Sequence, residues 1–272
     1  MKLSMHAAAL AFSLVATNAV ASTFILDFGT FSSSTFDDAA GNTIDYGIVG
    51  NDGATDIYAR LTSLAPFVSP VEANNGSAGG DIRLNAARGE TVQLQLDLFS
   101  DSSYSTAYSS VTSYDWTVFF YDVDGVNGSY GTGGDFFDAD TYYDQVLVRT
   151  AGTATFSSDT VLDYSNTADG LLVSAEGEAG VLGQGGVTAL DTEQQKYAFG
   201  YTLTDTSSLA FDYIVQDTSF STLERNLVID GGDLGFSGDT LTVVAPVPLP
   251  AGAPLLLAGL GAFGVLRLRK KR

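Results

Sequence analysis

The sequence predicts an all-β fold, with an exported domain built as a β-sandwich of jelly-roll type. In segment 91–99, apolar and polar residues alternate with period two, which is typical of a strand with one buried face. Segment 114–121 is apolar on both faces, as expected for a central strand of a sandwich. Apart from one turn near 188–196, no apolar stripe at helical spacing extends over three turns. These patterns favour packed sheets over helices.

Short apolar runs bounded by Gly, Asp, Asn and Ser mark the candidate strands. They are 23–28, 43–49, 56–62, 91–99, 113–122, 144–150, 171–175, 197–204, 209–216, 226–229 and 240–244. Pro66 and Pro70 fall in the loop 63–80, so proline interrupts none of these strands. Segments 63–80 and 123–140 are predicted to be two of the longer loops, where functional residues are often found.

The first 21 residues are predicted to form a secretory signal peptide. Lys2 gives a basic start, residues 7–16 form an apolar stretch, and Ala19 and Ala21 form a small-residue cleavage site. We therefore expect cleavage after Ala21 and export of the domain 22–243.

Residues 244–272 are predicted to form a linker and a membrane-directed tail with three parts. The first is a short proline-containing motif, made of Val247, Pro248, Leu249, Pro250 and Ala251. An apolar run follows and predicts one transmembrane helix at about 251–268, a short span beside a bilayer core of about 30 Å. The third part is the basic cluster of Arg267, Arg269, Lys270, Lys271 and Arg272, which predicts a cytoplasmic C-terminus.

This three-part tail resembles the PEP-CTERM class of bacterial sorting signals, and residues 247–251 resemble its VPLPA-CTERM variant. The alternative is an ordinary tail anchor preceded by a proline-rich linker. The resemblance covers about a tenth of the chain. It implies an exosortase as processing enzyme, an intermediate tethered to the inner membrane, and delivery to the surface or extracellular matrix of a Gram-negative bacterium that makes exopolysaccharide.

The charge of the exported domain restricts its partners. All 32 acidic residues lie between the predicted leader and the tail, where six basic residues accompany them. Such a field repels nucleic acid and anionic lipid, so the sequence predicts no nucleic-acid binding. His6 lies in the predicted leader and the chain has no cysteine. Mechanisms that need a histidine base, a cysteine nucleophile, a histidine-bound metal or a disulfide are therefore excluded for the exported domain.

An Asp-rich segment that starts at residue 122 is the densest chemical feature. Closely spaced carboxylates between glycines are typical of calcium sites, because Ca²⁺ takes six to eight oxygen ligands from flexible loops. The predicted ligands are Asp122, Asp124, Asp135, Asp138 and Asp140. The segment does not fit an EF-hand, since Gly133 stands at position twelve. The alternative is a solvated turn whose Asp and Gly residues supply turn conformations.

Loop aromatic residues offer a second kind of site, because sugars stack on exposed rings. The candidates for ligand binding are Tyr130, Phe136 and Phe137, with Tyr104, Tyr108 and Tyr142 as further platforms. Their alternative role is ordinary strand packing. A polysaccharide hydrolase needs a defined carboxylate pair, and none stands out, so no catalytic residue is predicted. The sequence thus favours a structural or adhesive protein associated with exopolysaccharide, with a carbohydrate-binding module as the alternative and a hydrolase third.

Overall fold

The structure, a computed structural model, describes residues 22–29, 31–34, 36, 42–110, 112–126, 142–178, 189–217, 224–232 and 234–245. Within these residues the chain forms 17 strands and two short 3-10 helices. The strands are β1 (Ser22–Phe24), β2 (Phe31–Ser34), β3 (Thr43–Asn51), β4 (Asp56–Ser63), β5 (Gly76–Ala78), β6 (Asp81–Ala87), β7 (Thr91–Phe99), β8 (Tyr114–Tyr121), β9 (Gly125–Val126), β10 (Tyr142–Val148), β11 (Thr153–Ser157), β12 (Asp163–Asn166), β13 (Leu171–Ser174), β14 (Phe199–Thr204), β15 (Ser208–Asp217), β16 (Glu224–Asp230) and β17 (Thr240–Val244). The 3-10 helices are Glu72–Asn74 and Gln194–Tyr197.

Two sheets carry these strands, which confirms the predicted β-sandwich; its jelly-roll subtype stays a prediction. The first sheet has the order β17, β11, β14, β8, β16, β6, β5, with β1 paired to β8. The second has the order β12, β13, β10, β15, β7, β4, β3, β2, with β9 paired to β10. The described pairings are antiparallel except for β1 with β8, which is parallel.

One continuous hydrophobic core lies between the sheets and draws side chains from both. Trp116 of β8 is fully buried, and its indole Nε1 donates to the Thr206 carbonyl at 2.6 Å. Phe120 stacks on Phe199 with ring centroids 4.8 Å apart and meets Phe211 of the opposite sheet edge to face. Offset and edge-to-face rings are the favourable arrangements for aromatic packing. The aromatic side chains therefore connect the two layers.

The N-terminal segment closes one edge of the sandwich. Beyond β1, the amides of Leu26, Asp27 and Phe28 donate in turn to the carbonyls of Gly231, Val49 and Gly80. Val49 lies in β3 of the second sheet, whereas Gly231 directly follows β16 and Gly80 lies between β5 and β6 of the first sheet. The predicted strand 23–28 was therefore too long as one strand, because this segment changes its partner sheet after β1. Gly231 allows the backbone after β16 to approach the backbone after β1, since a Cβ at this position would lie 1.8 Å from the Leu26 carbonyl oxygen.

Other predictions need correction. The predicted loop 63–80 contains the helix Glu72–Asn74 and β5, and the predicted loop 123–140 contains β9. Strands β2, β6, β11 and β12 were not predicted either. No helix among the described residues is long and apolar enough to cross a membrane. The predicted signal peptide and the predicted transmembrane helix both lie outside the described residues, as do Ala19, Ala21 and the whole tail from 246 onward.

Candidate ligand-binding end of the sandwich

Several segments between strands start and finish at one end of the sandwich, here called the loop end. Val126 of β9 pairs with Tyr142 of β10, and Tyr142 pairs with Asp217 of β15. Gly125 lies against Glu178, because a Cβ at this glycine would be 2.9 Å from the Glu178 carbonyl oxygen. These residues flank 127–141, 179–188 and 218–223, which lie outside the described residues. The loop end is therefore where these three segments begin or end.

A half-buried arginine ties the two sheets together just beneath the loop end. Arg225 of β16 belongs to the first sheet, and its Nη2 donates to Oδ2 of Asp144 on β10 of the second sheet at 2.5 Å. The same nitrogen donates to the carboxylate of Asp124, just before β9. Tyr213 of β15 completes the group, since its hydroxyl donates to Oδ1 of Asp144 at 3.0 Å. We call Arg225, Asp124, Asp144 and Tyr213 the inter-sheet clasp.

Backbone contacts fix the clasp in place. The Asp144 amide donates to the Asp124 carbonyl at 2.8 Å, and the Ala175 amide donates to the Asp144 carbonyl at 3.1 Å. Asp144 is fully buried and Asp124 is 5% exposed. Their carboxylates are thus held in an interior where an unpaired charge is strongly unfavourable.

Burial sets the protonation behaviour of the clasp. Desolvation raises the pKa of Asp124 to about 6 even though the Arg225 charge acts to lower it. The pKa of Asp144 is also raised by burial against the same opposing charge. Burial acts to lower the pKa of Arg225, but the carboxylates of Asp144 and Asp124 outweigh it and keep the pKa well above its usual value. The arginine therefore stays positive while Asp124 takes up a proton in mild acid.

A second arginine lies at the loop end and stacks on an aromatic ring. The guanidinium carbon of Arg88, one residue after β6, lies 3.6 Å from the ring centroid of Tyr142. The guanidinium carbon of Arg225 lies 5.1 Å from the same ring. Both distances fall in the range of cation–π attraction. The ring of Tyr142 thus contacts both Arg225 of the clasp and Arg88.

Two of the five predicted calcium ligands, Asp122 and Asp124, lie among the described residues. Asp124 bonds Arg225, and Asp122 has a left-handed backbone with φ of 64°. Asp135, Asp138 and Asp140 lie outside the described residues, so calcium at this segment stays a prediction. No group of three His, Cys, Asp or Glu side chains in the described part of the chain is placed to hold a metal ion.

Some of the predicted aromatic sugar-binding residues lie among the described residues and others do not. Tyr130, Phe136 and Phe137 lie outside the described residues. Tyr108 is 2% exposed and its hydroxyl donates to Asp52 at 2.8 Å, so its predicted role as an exposed sugar platform is wrong. Tyr104 packs against Arg60, with the guanidinium carbon 4.6 Å from its ring centroid.

The clasp and the Arg88 contact were missed by sequence reasoning, although the sequence carried one signal for the clasp. Asp144 starts the predicted strand 144–150, and Arg225 directly precedes the predicted strand 226–229. Charged groups beside such apolar runs are tolerated in a core when they pair with each other. Opposite charges at the ends of predicted strands were therefore a signal, but they did not identify which charges pair. Nothing in the sequence placed Arg88 over Tyr142.

The fold and this site define an all-β sandwich with a charged inter-sheet clasp under its loop end. No family profile and no curated protein matches the chain. Among solved structures, the adhesin domain of PrgB from Enterococcus faecalis is similar with a TM-score of 0.37 and 9% identity, over 72% of this chain. This chain spans 65% of that one. The β-sandwich assignment rests on the two sheets themselves.

Proposed function

We propose that this is an exported protein of the bacterial surface or extracellular matrix, with a structural or adhesive role in association with exopolysaccharide. The observation that carries the proposal is the loop end, where the inter-sheet clasp supports the start or finish of three connecting segments. A fixed base beneath loops is the usual design of a binding surface on a β-sandwich. The predicted leader and sorting tail supply the route to the surface.

The proposed processing enzyme and cellular location rest on the sequence of the C-terminal tail. We infer that an exosortase recognises residues 247–251, that the helix at about 251–268 tethers the intermediate to the inner membrane of a Gram-negative bacterium, and that processing releases the domain to its final site. Nucleic acid is not among the proposed partners, because 32 acidic residues oppose it.

A carbohydrate-binding module is the second candidate. Tyr142 and Arg88 favour it, because an aromatic ring and a guanidinium at one surface are groups that recognise sugars and their substituents. A hydrolase has less support at the loop end. Asp124 and Asp144 both bind Arg225, whereas glycosidases need two carboxyl groups that act separately on opposite sides of the scissile bond.

Co-sedimentation with the exopolysaccharide of the producing strain tests the proposal. We expect the protein from the cell surface to pellet with the polymer, and a variant lacking residues 247–251 to fold but to leave that surface fraction. Saturable binding of a defined oligosaccharide, lost in Tyr130→Ala or Phe137→Ala, would favour the binding module over a structural role. No association with the polymer in any fraction would contradict both.

A further inference from the structure

We propose that Arg88 and Tyr142 form a binding site for the carboxylate of an acidic sugar. The inference rests on the proposed association with exopolysaccharide and names the chemical group that would be recognised. It starts from Arg88 itself, whose electrostatic surroundings differ from those of the other basic side chains in the exported domain.

The basic side chains of the domain are mostly neutralised. Four of the six form ion pairs, namely Arg60 with Asp45, Arg149 with Asp212, Lys196 with Glu193, and Arg225 with the clasp carboxylates. Arg83 donates from Nε to the side-chain oxygen of Asn226 at 3.3 Å. Arg88 has neither an ion pair nor a hydrogen bond to any described residue. Of the two arginines without an ion pair in the described part of the domain, Arg88 is the one whose guanidinium also has no hydrogen-bond acceptor, so its N–H groups are available for an anion.

The contact with Tyr142 holds the guanidinium of Arg88 in a fixed orientation. Tyr142 holds the guanidinium by its face at 3.6 Å, and Tyr142 is itself anchored in β10 between β9 and β15. The Nε atom is buried without a hydrogen-bond partner, and neither terminal nitrogen of the guanidinium is in that condition. The side chain as a whole is half-buried, so the terminal nitrogens keep contact with solvent. A planar pair of N–H donors matches the two oxygens of a carboxylate.

The negative charge of the whole domain limits which classes of anionic ligand can bind at Arg88. A dense polyanion is repelled by the 32 acidic residues before it reaches one arginine. A sugar polymer that carries carboxylates at intervals is repelled less, and its hydroxyl groups remain free to bond with polar loop side chains. A uronic acid residue in exopolysaccharide has this chemistry. The site therefore fits a single acidic sugar better than a run of charges.

Calorimetric titration of the full-length chain, purified in mild detergent, tests the site. The probes are methyl galacturonoside, which carries one carboxylate, and its methyl ester, which keeps the sugar and removes the charge. We expect the acid to bind and the ester to bind at least tenfold more weakly, since a charge-assisted hydrogen bond contributes about 1.5–3 kcal/mol and 1.4 kcal/mol is tenfold.

Variants identify the residues. The Arg88→Gln variant should bind the acid about tenfold or more weakly than the wild type. The Tyr142→Leu variant should also bind the acid more weakly, because the guanidinium of Arg88 loses the ring that supports it. Tyr142→Phe keeps the ring and should retain binding. Arg83→Gln is the matched control, because it removes the same charge from β6 while leaving Arg88 in place. Melting temperatures of all four proteins confirm that they fold.

Three outcomes would overturn the inference. They are equal binding of acid and ester, equal loss in Arg88→Gln and Arg83→Gln, and binding that appears only after Asp135, Asp138 and Asp140 are replaced by Asn. The last result would make the chain's own carboxylates the occupant of Arg88. The proposed function fails separately, since it requires association with native exopolysaccharide whatever the response to methyl galacturonoside.

Discussion

Replacing Arg225 with methionine removes the cation of the inter-sheet clasp and keeps a long unbranched side chain. Asp124 and Asp144 are then buried together without their counter-charge. Removing one partner from a buried ion pair typically destabilises a protein by about 3–5 kcal/mol. For a domain of this size, 1 kcal/mol corresponds to about 2–4 °C, so we expect the melting temperature to fall by roughly 6–20 °C at neutral pH.

The loss should depend on pH in a defined direction. Folding raises the pKa of both aspartates, so between their unfolded and folded values the native state binds more protons than the unfolded state. Stability conferred by these groups is therefore present at low pH and declines as pH rises through the folded pKa, which is about 6 for Asp124. Without Arg225 these pKa values rise further. The defect of Arg225→Met should then be largest at neutral pH and shrink near pH 5.

Thermal unfolding followed by circular dichroism at both pH values measures the effect. Lys196→Met is the control for loss of one positive charge, because its partner Glu193 is 63% exposed and we expect little change in melting temperature. Two results would refute the role assigned to the clasp. They are an Arg225→Met protein with the melting temperature of the wild type at neutral pH, and an equal fall in melting temperature at both pH values.

Three further perturbations test other parts of the structure. Gly231→Ala should lower stability by about 1–3 kcal/mol through its clash with Leu26, whereas Gly235→Ala, with nothing within 4 Å of its Cβ, should be neutral in thermal melts. Asp124→Asn should lower the melting temperature equally with and without calcium, because its carboxylate bonds Arg225; a larger loss in calcium would contradict this. Deleting residues 247–251 should change the mature size on immunoblots, and an unchanged size would oppose sorting.

The sandwich could be predicted because its central strands follow simple rules. The predicted strands 91–99 and 240–244 coincide with β7 and β17, and 113–122 overlaps β8 to within one residue at each end. In β7, buried and half-buried residues alternate after the first position, as period two requires. In β8 the last four residues are all buried, which explains why this strand looks apolar on both faces.

Strand β6 was missed because its polar residues resemble a loop. Asn85 is 1% exposed, and its side chain accepts from the Val71 amide and donates to Asn226 at 3.0 Å each. These partners come from distant parts of the chain, so the hydrogen bonds that permit burial of Asn85 are invisible in local sequence. The same contacts hold the segment 63–80 against the sheet. Tertiary hydrogen bonding thus overrode local polarity.

The contacts of the candidate site were not predicted. Asp122 and Asp124 lie between β8 and β9, in a segment whose carboxylates and glycines are typical of a loop. Their density also suggested one shared metal, yet Asp124 turns inward and bonds an arginine about a hundred residues further along the chain. Local composition indicates where charges concentrate, whereas the register of β10 and β16 decides which of them meet.

The clasp also gives a way to separate folding from recognition. The chain has no cysteine, so the described part of the domain holds its loop end without disulfides and by packing and ionic contacts alone. Changes at Arg225 or Asp144 should therefore alter stability first and ligand binding as a consequence. Changes at Arg88, which contacts Tyr142 but has no ion pair or hydrogen bond to a described residue, should alter acid-sugar binding with a smaller change in melting temperature. A variant series in which affinity always follows melting temperature would place recognition elsewhere.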